Sequence, residues 1–213
     1  MSRVEENKLQ KKKALLDTAF SLFVDRGFIK TSVADITKKA GVAKGTFYLY
    51  FSDKYDIRDK LIARKAADLL RKAWQALEKR KQEEPESCQA GTLAGFEDDM
   101  IFLIDRIVTQ LDNNKMLLNF VSKNLEWGVF KHAMIRETDD IGFDVPEIYN
   151  DMLEKSGRKF RDPELMLFMI LELVGSTIHN VILYKEPVTL EVLRPELYQT
   201  IRLIIREQDI GGR

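Results

Sequence analysis

At 213 residues, 45% hydrophobic and 32% charged, the chain is long enough and apolar enough for one large or two small domains with a proper core, and its single cysteine, Cys88, excludes an internal disulfide. Its formal charge is zero, yet residues 1–65 carry fifteen Lys and Arg against eight Asp and Glu, an excess of seven positive charges, and the remainder carries nineteen against twenty-six, an excess of seven negative ones. A basic N-terminal third on an acidic body suits a polyanion-binding module on a carrier domain, although lysines that merely solubilise a helical surface give the same excess.

Five prolines and eleven glycines are few and fall near apparent helix ends, which predicts an all-α chain of about nine helices. From Glu5 to Arg26, apolar residues at Leu15, Leu16, Ala19, Phe20, Leu22 and Phe23 recur at three-four spacing, with Arg26 and Gly27 as stop signals. Ser32 caps a short helix, with Asp35 as the acid of a capping box and Gly41 as the corner that ends it. A second short helix over about 43–51 follows at a steep angle, the layout of a helix-turn-helix. Ser52 then opens a long helix to about Arg80, and residues 81–91 read as a connector.

Leu93, Phe96, Met100, Leu103, Ile107 and Leu111 mark the next helix. Another covers the stretch from Asn113 to Met134, broken near Gly128; residues 136–146 form a loop, and a short helix spans about 146–157. Asp162-Pro163-Glu164 is a start signal for an apolar helix to about Tyr184. Glu172, Ser176, Thr177, His179 and Asn180 interrupt that run, so it reads as a buried helix and not a membrane span. A last helix carries Leu190, Leu193, Leu197, Ile201, Ile204 and Ile205, either kinked at Pro195 or beginning at Arg194. No alternating strand pattern appears.

The stretch GVAKGTFYLYFSDKYDI at 41–57 crowds four aromatics between two lysines. On a helix Phe47 and Phe51 share one face and anchor to the first helix, while Lys44 and Tyr48 form one neighbouring ridge and Thr46 and Tyr50 another, which cannot all be buried in a three-helix unit. Gly45 removes a side chain at the helix tip, where a groove wall can approach. Ser32, Gly45 and Lys54 sit at helix starts, whose backbone amides bind phosphate, and Thr31, Ser32, Tyr48 and Lys44 add side-chain donors.

Residues 14–61, with ALLDTAFSLFVDRGF, TSVADITKKAGVAKGTFYLYF and SDKYDIRDKL, resemble the DNA-binding domain of the tetracycline-repressor (TetR) family of bacterial transcriptional regulators. The resemblance implies a helix-turn-helix DNA-binding domain at 1–52 and a helical ligand-binding and dimerisation domain at 53–213. It implies that Thr31 and Ser32 touch phosphate, that Lys44, Gly45, Thr46 and Tyr48 lie at the groove with Tyr50 at its edge, and that Lys54 holds a phosphate. Ala34 departs from members that read a base with arginine there, which shifts base reading onto Lys44, Thr46 and the tyrosines.

Reading two half-sites requires a two-fold dimer. The last two helices are its candidate interface, through Met166, Ile170, Leu171, Val174, Gly175, Ile178, Leu197, Ile201 and Ile204. Bulky or adaptable side chains on the middle helices, Trp74, Phe96, Met100, Phe120, Trp127, Phe130, Met134, Met169 and His179, are candidates to enclose a small, mainly apolar or aromatic effector. The expected partners are therefore double-stranded DNA, a small molecule and a second copy, in the cytoplasm and without a membrane. No metal-ligand spacing, phosphate loop or nucleophile motif suggests a cofactor, a metal or an enzyme. The competing reading is an architectural DNA-binding protein, or an activator of the same fold, without an inducer.

Overall fold

The computed structural model describes residues 3–84, 91–122 and 145–212. Among them are nine helices, α1 (Arg3–Arg26), α2 (Val33–Ala40), α3 (Lys44–Tyr48), α4 (Lys54–Glu83), α5 (Leu93–Asp112), α6 (Lys115–Ser122), α7 (Val145–Lys155), α8 (Pro163–Tyr184) and α9 (Leu190–Gln208). The helical prediction over 123–134 and the loop at 136–144 lie outside the described residues.

Local chemistry sets the first boundaries. The Ser32 hydroxyl accepts from the Asp35 amide while the Asp35 carboxylate accepts from the Ser32 amide, so α2 opens on a full capping box. It closes at Gly41, whose φ of 67° is the left-handed conformation that glycine adopts without strain. One expected boundary changes: α4 is capped by Asp53, whose carboxylate accepts from the Tyr55 and Asp56 amides, and not by Ser52. The helix then runs on to Glu83.

Two cores result. In the head, Leu15, Ala19, Leu22 and Phe23 of α1 meet Ile36 of α2, Phe47 and Phe51 of the reading unit, and Ile57, Leu61 and Ile62 of α4. Phe120 and Val121 of α6 belong to this cluster too, with the Phe20 and Phe120 rings edge to face at 5.1 Å. In the body, Leu69, Ala73 and Leu77 of α4 pack with Phe96, Met100 and Val108 of α5 and with the buried stripes of α8 and α9. Each such buried aromatic or aliphatic side chain stabilises by about 1.5–3 kcal/mol.

The last helices bring three corrections. Met166, Ile170, Val174, Ile178, Leu197 and Ile201, expected at a dimer interface, are the chain's own core, from 0% to 8% exposed. Their spacing marks a buried face, and that face closes on α5 and α6 within one chain. The uncovered face of the pair instead carries Leu165, Tyr184, Val192 and Leu203, each more than 40% exposed, while Leu171, Gly175 and Ile204 are half-buried. Secondly, α9 starts at Leu190 and runs through Pro195, so it does not begin at Arg194. The proline's missing amide leaves the Glu191 carbonyl without its usual donor, which solvent supplies because both residues are exposed. Thirdly, β1 (Arg158–Phe160) and β2 (Asp209–Gly212) form an antiparallel ribbon, locked by the Arg158 guanidinium on the Asp209 carboxylate. Strands this short show no alternation to read.

By length and composition α8 is apolar enough to cross a membrane. Its buried stripe is instead occupied by protein, chiefly α9 and α6.

Candidate nucleic-acid interface

The second short helix explains how one segment holds four aromatics. Phe47 is 0% and Phe51 1% exposed, their rings tilted against each other at 5.4 Å in the head core. Their burial fixes the rotation of α3, and it turns Lys44, Gly45 and Tyr48 outward. Tyr48 is 52% exposed, its ring held edge to face against Phe47 at 5.4 Å. Thr46 is half-buried, and Tyr50 is half-buried against the core.

Gly45 carries no positive φ, and a Cβ built on it meets nothing within 4 Å. Neither conformation nor intramolecular space demands glycine there. A helix position without a side chain costs about 1 kcal/mol relative to alanine, and no contact among the described residues offsets it.

Three other expected donors are differently employed. Thr31 is 2% exposed and its hydroxyl faces the carbonyls of Gly27, at 2.9 Å, and Leu22, at 3.3 Å. Its side chain ties the α1–α2 turn and is not at the surface, which corrects the expected phosphate contact. Ser32 is exposed, but its hydroxyl donates to Asp35 at 2.6 Å and its amide donates to the same carboxylate. Those hydrogen bonds hold the Asp35 carboxyl below the usual carboxylate range. The Lys54 ammonium donates to the Phe28 carbonyl at 2.9 Å and lies 4.3 Å from the centre of the Phe28 ring, so it pins the α1–α2 turn from the start of α4. Sequence spacing placed these residues at helix starts without revealing that the fold itself uses them.

The sequence reading passed over Ile29 and Leu49, 90% and 78% exposed. Leu49 follows the outward Tyr48, and Ile29 lies in the α1–α2 turn, its carbonyl 3.4 Å from the Lys54 ammonium. The available signal was an aliphatic side chain with no place on a buried stripe.

The expected effector residues do not converge on one site. Trp74 and Phe96 line a cleft of about 400 Å³ with Leu77 and Met152, between the end of α4, the start of α5 and α7. Met100 is sealed in the body core, and Phe120 is packed in the head cluster. Met169 and His179 are half-buried and lie off the buried stripe of α8. The His179 Nε2 is buried and has no hydrogen-bond partner among the described residues. Trp127, Phe130 and Met134 lie outside the described residues. The cleft rim is charged, but most of it is internally paired: Lys81 with Asp99, Lys155 with Asp151, and Asp98 with Arg202. Among the described residues no group of His, Cys, Asp and Glu has the arrangement of a metal site.

Residues 15–61 match the family model described as bacterial regulatory proteins, tetR family. An uncharacterized HTH-type transcriptional regulator, YvdT of Bacillus subtilis (strain 168), is 52% identical over 40 residues, which is 19% of this chain and 21% of that one. The fatty acid metabolism regulator protein of the same organism is 38% identical over 56 residues, 26% of this chain and 29% of that one. These matches span under a third of the curated relatives' length. The fold likeness is much wider. A putative tetR family transcription regulator from Shewanella sp. PV-4 superposes with a TM-score of 0.60 at 23% identity, covering 94% of this chain and 98% of the other. The regulator FadR of Bacillus subtilis, in complex with stearoyl-CoA, does so with a TM-score of 0.54 at 18% identity, covering 89% and 96%. Residues 15–61 thus carry the DNA-binding domain of the tetR family of bacterial regulatory proteins, and the fold of the chain as a whole is similar to that of solved regulators of that family.

Proposed function

We propose that the protein is a cytoplasmic repressor that binds a pseudopalindromic operator as a homodimer and leaves it when a small, mainly apolar molecule occupies the body. The observation that carries the reading is the outward ridge of α3, Lys44, Gly45 and Tyr48, held in place by the sealed Phe47 and Phe51. Lys44 donates to phosphate or to guanine acceptors, Tyr48 donates its hydroxyl, and Gly45 admits the groove wall. Thr46 and Tyr50 support the ridge from its half-buried side. Residues 1–52 act as the reading head and 53–213 as the regulatory and dimerising body.

The pairing of α8 and α9 supports the homodimer through its uncovered face, where Leu165, Val192 and Leu203 lie in the open beside Leu171, Gly175 and Ile204. An effector acts only by preferring one arrangement of the two heads. Two elements join head to body: α4, which contributes to both cores, and α6, whose Phe120 packs on Phe20. The fatty-acid regulators among the similar proteins make long-chain acyl thioesters the first effector class to try, with the Trp74–Phe96 cleft as one candidate wall.

Duplexes retained from a random pool by the full-length protein test the reading. Tyr48→Ala and Lys44→Ala are each expected to lower affinity by about 1–3 kcal/mol while the helix signal and the dimer persist. Undiminished affinity in both variants would remove α3 from the interface. Binding that neither acyl-CoA nor any metabolite fraction alters would favour an architectural protein or an activator without an inducer.

A further inference from the structure

We infer that the first three turns of α1 form a second DNA-backbone contact, gripping the duplex just outside each half-site; this rests on the DNA-binding reading above. The helix is 24 residues long, but its buried residues begin only at Leu15. Arg3 to Lys11 are all exposed. At 1.5 Å per residue, the turns before Ala14 overhang the core by roughly 16 Å. A helical segment that packs against nothing gains little stability of its own in water.

The overhang is also basic, with Arg3, Lys8, Lys11, Lys12 and Lys13 against Glu5 and Glu6. Lys8 stands three and four residues from Lys11 and Lys12, spacings at which like charges repel across one helix face. Lys8 and Lys11 do not serve the helix. Arg3, Lys8, Lys11 and Lys13 make no ion pair with any described residue, and Lys12 is half-buried.

Their placement is the stronger point. Lys8, Lys12, Leu15, Ala19 and Leu22 recur at intervals of four, three, four and three, and Lys11 is four before Leu15, so all lie on one side of α1. Within the head that side is buried against the other reading elements. Past the edge of the head the same side carries Lys12, Lys11 and Lys8, with the exposed Val4 only at its tip.

The overhang also leaves the head at the end where α3 begins. The start of α2 lies beside the end of α1, through Thr31 on Leu22 and Gly27, and its last turn reaches back along α1 toward the N-terminus, with Lys39 Nζ 3.0 Å from Ser21 Oγ. Lys12 is nine residues, about 13 Å, further along the same axis. A basic face so placed meets the phosphates that flank the half-site read by α3.

The test uses a duplex selected by the full-length protein and prepared in two lengths: one ending at the outer base pairs of the inverted repeat, the other extended by about ten base pairs on each side. The variant is Lys8→Gln with Lys11→Gln. Lys13→Gln, on another side of α1, is the control. On the longer duplex the double variant is expected to bind about tenfold or more weakly at 0.1 M salt, with the slope of log affinity against log salt reduced by about one for each phosphate that is no longer neutralised. On the shorter duplex its deficit shrinks, and the control stays within about threefold of the unaltered protein on both. Equal affinity of the double variant and the unaltered protein on the longer duplex would overturn the inference, as would a deficit that ignores duplex length or a control that is weakened as much. Helical circular dichroism confirms that the overhang stays folded. If the unaltered protein retains no duplex, the DNA-binding reading itself has failed, and that appears before any variant is made.

Discussion

Head and body are both helical and both apolar inside, but they are held together differently. The head closes mostly through rings and aliphatic chains from neighbouring stretches, Leu15 to Ile62, joined only by Phe120 and Val121 from α6 among the described buried residues, with its charges outside. The body adds a row of ion pairs between α5 and α9, drawn from residues about a hundred positions apart: Arg202 and Arg206 on Glu97, and Arg194 on Asp105. The Glu97 side chain is 2% exposed, whereas the two guanidiniums that grip it are 27% and 53% exposed. A buried carboxylate is tolerable here because both its oxygens are hydrogen-bonded by cations that keep contact with water. The difference teaches that the head is specified mostly by local sequence, while the body depends on long-range pairing.

The largest test of that contrast is to empty the head. Phe47→Ala is expected to destabilise by about 3–5 kcal/mol, the range for a fully buried aromatic, and to abolish DNA binding. Urea unfolding followed by far-ultraviolet circular dichroism reads the effect; a loss under 1 kcal/mol would mean that Phe47 does not hold α3 in place. The matching test of the body is Glu97→Gln, which keeps the shape but removes the charge between two arginines. About 1–3 kcal/mol is expected, less than for a pair sealed on both sides because the guanidiniums reach solvent. An unchanged urea midpoint would show that the α5–α9 pairs add nothing beyond apolar packing.

The same contrast explains what was legible in the sequence. Ser32, Asp35, Gly41, Phe47 and Phe51 act within a few residues of one another, so spacing alone revealed the caps, the corner and the buried rings of the helix-turn-helix. Thr31 and Lys54 misled because their partners, the carbonyls of Leu22 in α1 and of Gly27 and Phe28 in the turn after it, come within reach only in the packed head. In the body, helical periodicity disclosed the apolar stripes of α8 and α9 but not what covers them, so Met166 and Ile201 were read as an interface when they face their own α5 and α6. The α5–α9 ion pairs and the β1–β2 ribbon left no local trace, because each joins residues some fifty to a hundred positions apart.

A smaller effect separates capping from DNA contact at the start of α2. Ser32→Ala is expected to destabilise the head by about 1 kcal/mol through removal of the cap. The Asp35 carboxyl, depressed below its unfolded value near 3.8 by hydrogen bonds from Ser32, keeps its stabilising contribution at neutral pH and loses it as pH falls through the depressed value. In Ser32→Ala the side-chain hydrogen bond is gone, so the Asp35 titration, followed by carbon-13 NMR, is expected to move up toward the ordinary range. A titration that stays where it was would mean that the hydroxyl contributes little to the box.

The smallest stability change carries the sharpest distinction. Gly45 sits inside a helix with open space at its Cβ, so Gly45→Ala is expected to stabilise the free protein by a few tenths of a kcal/mol, up to about 1. The same methyl group would stand on the ridge between Lys44 and Tyr48, where the groove wall is proposed to approach. Operator affinity is therefore expected to fall while the urea midpoint rises, and no defect of folding produces that pair of signs. A variant that is more stable and binds at least as tightly would show that DNA does not come close to this turn of α3, and it would return Lys44 and Tyr48 to the status of ordinary surface residues.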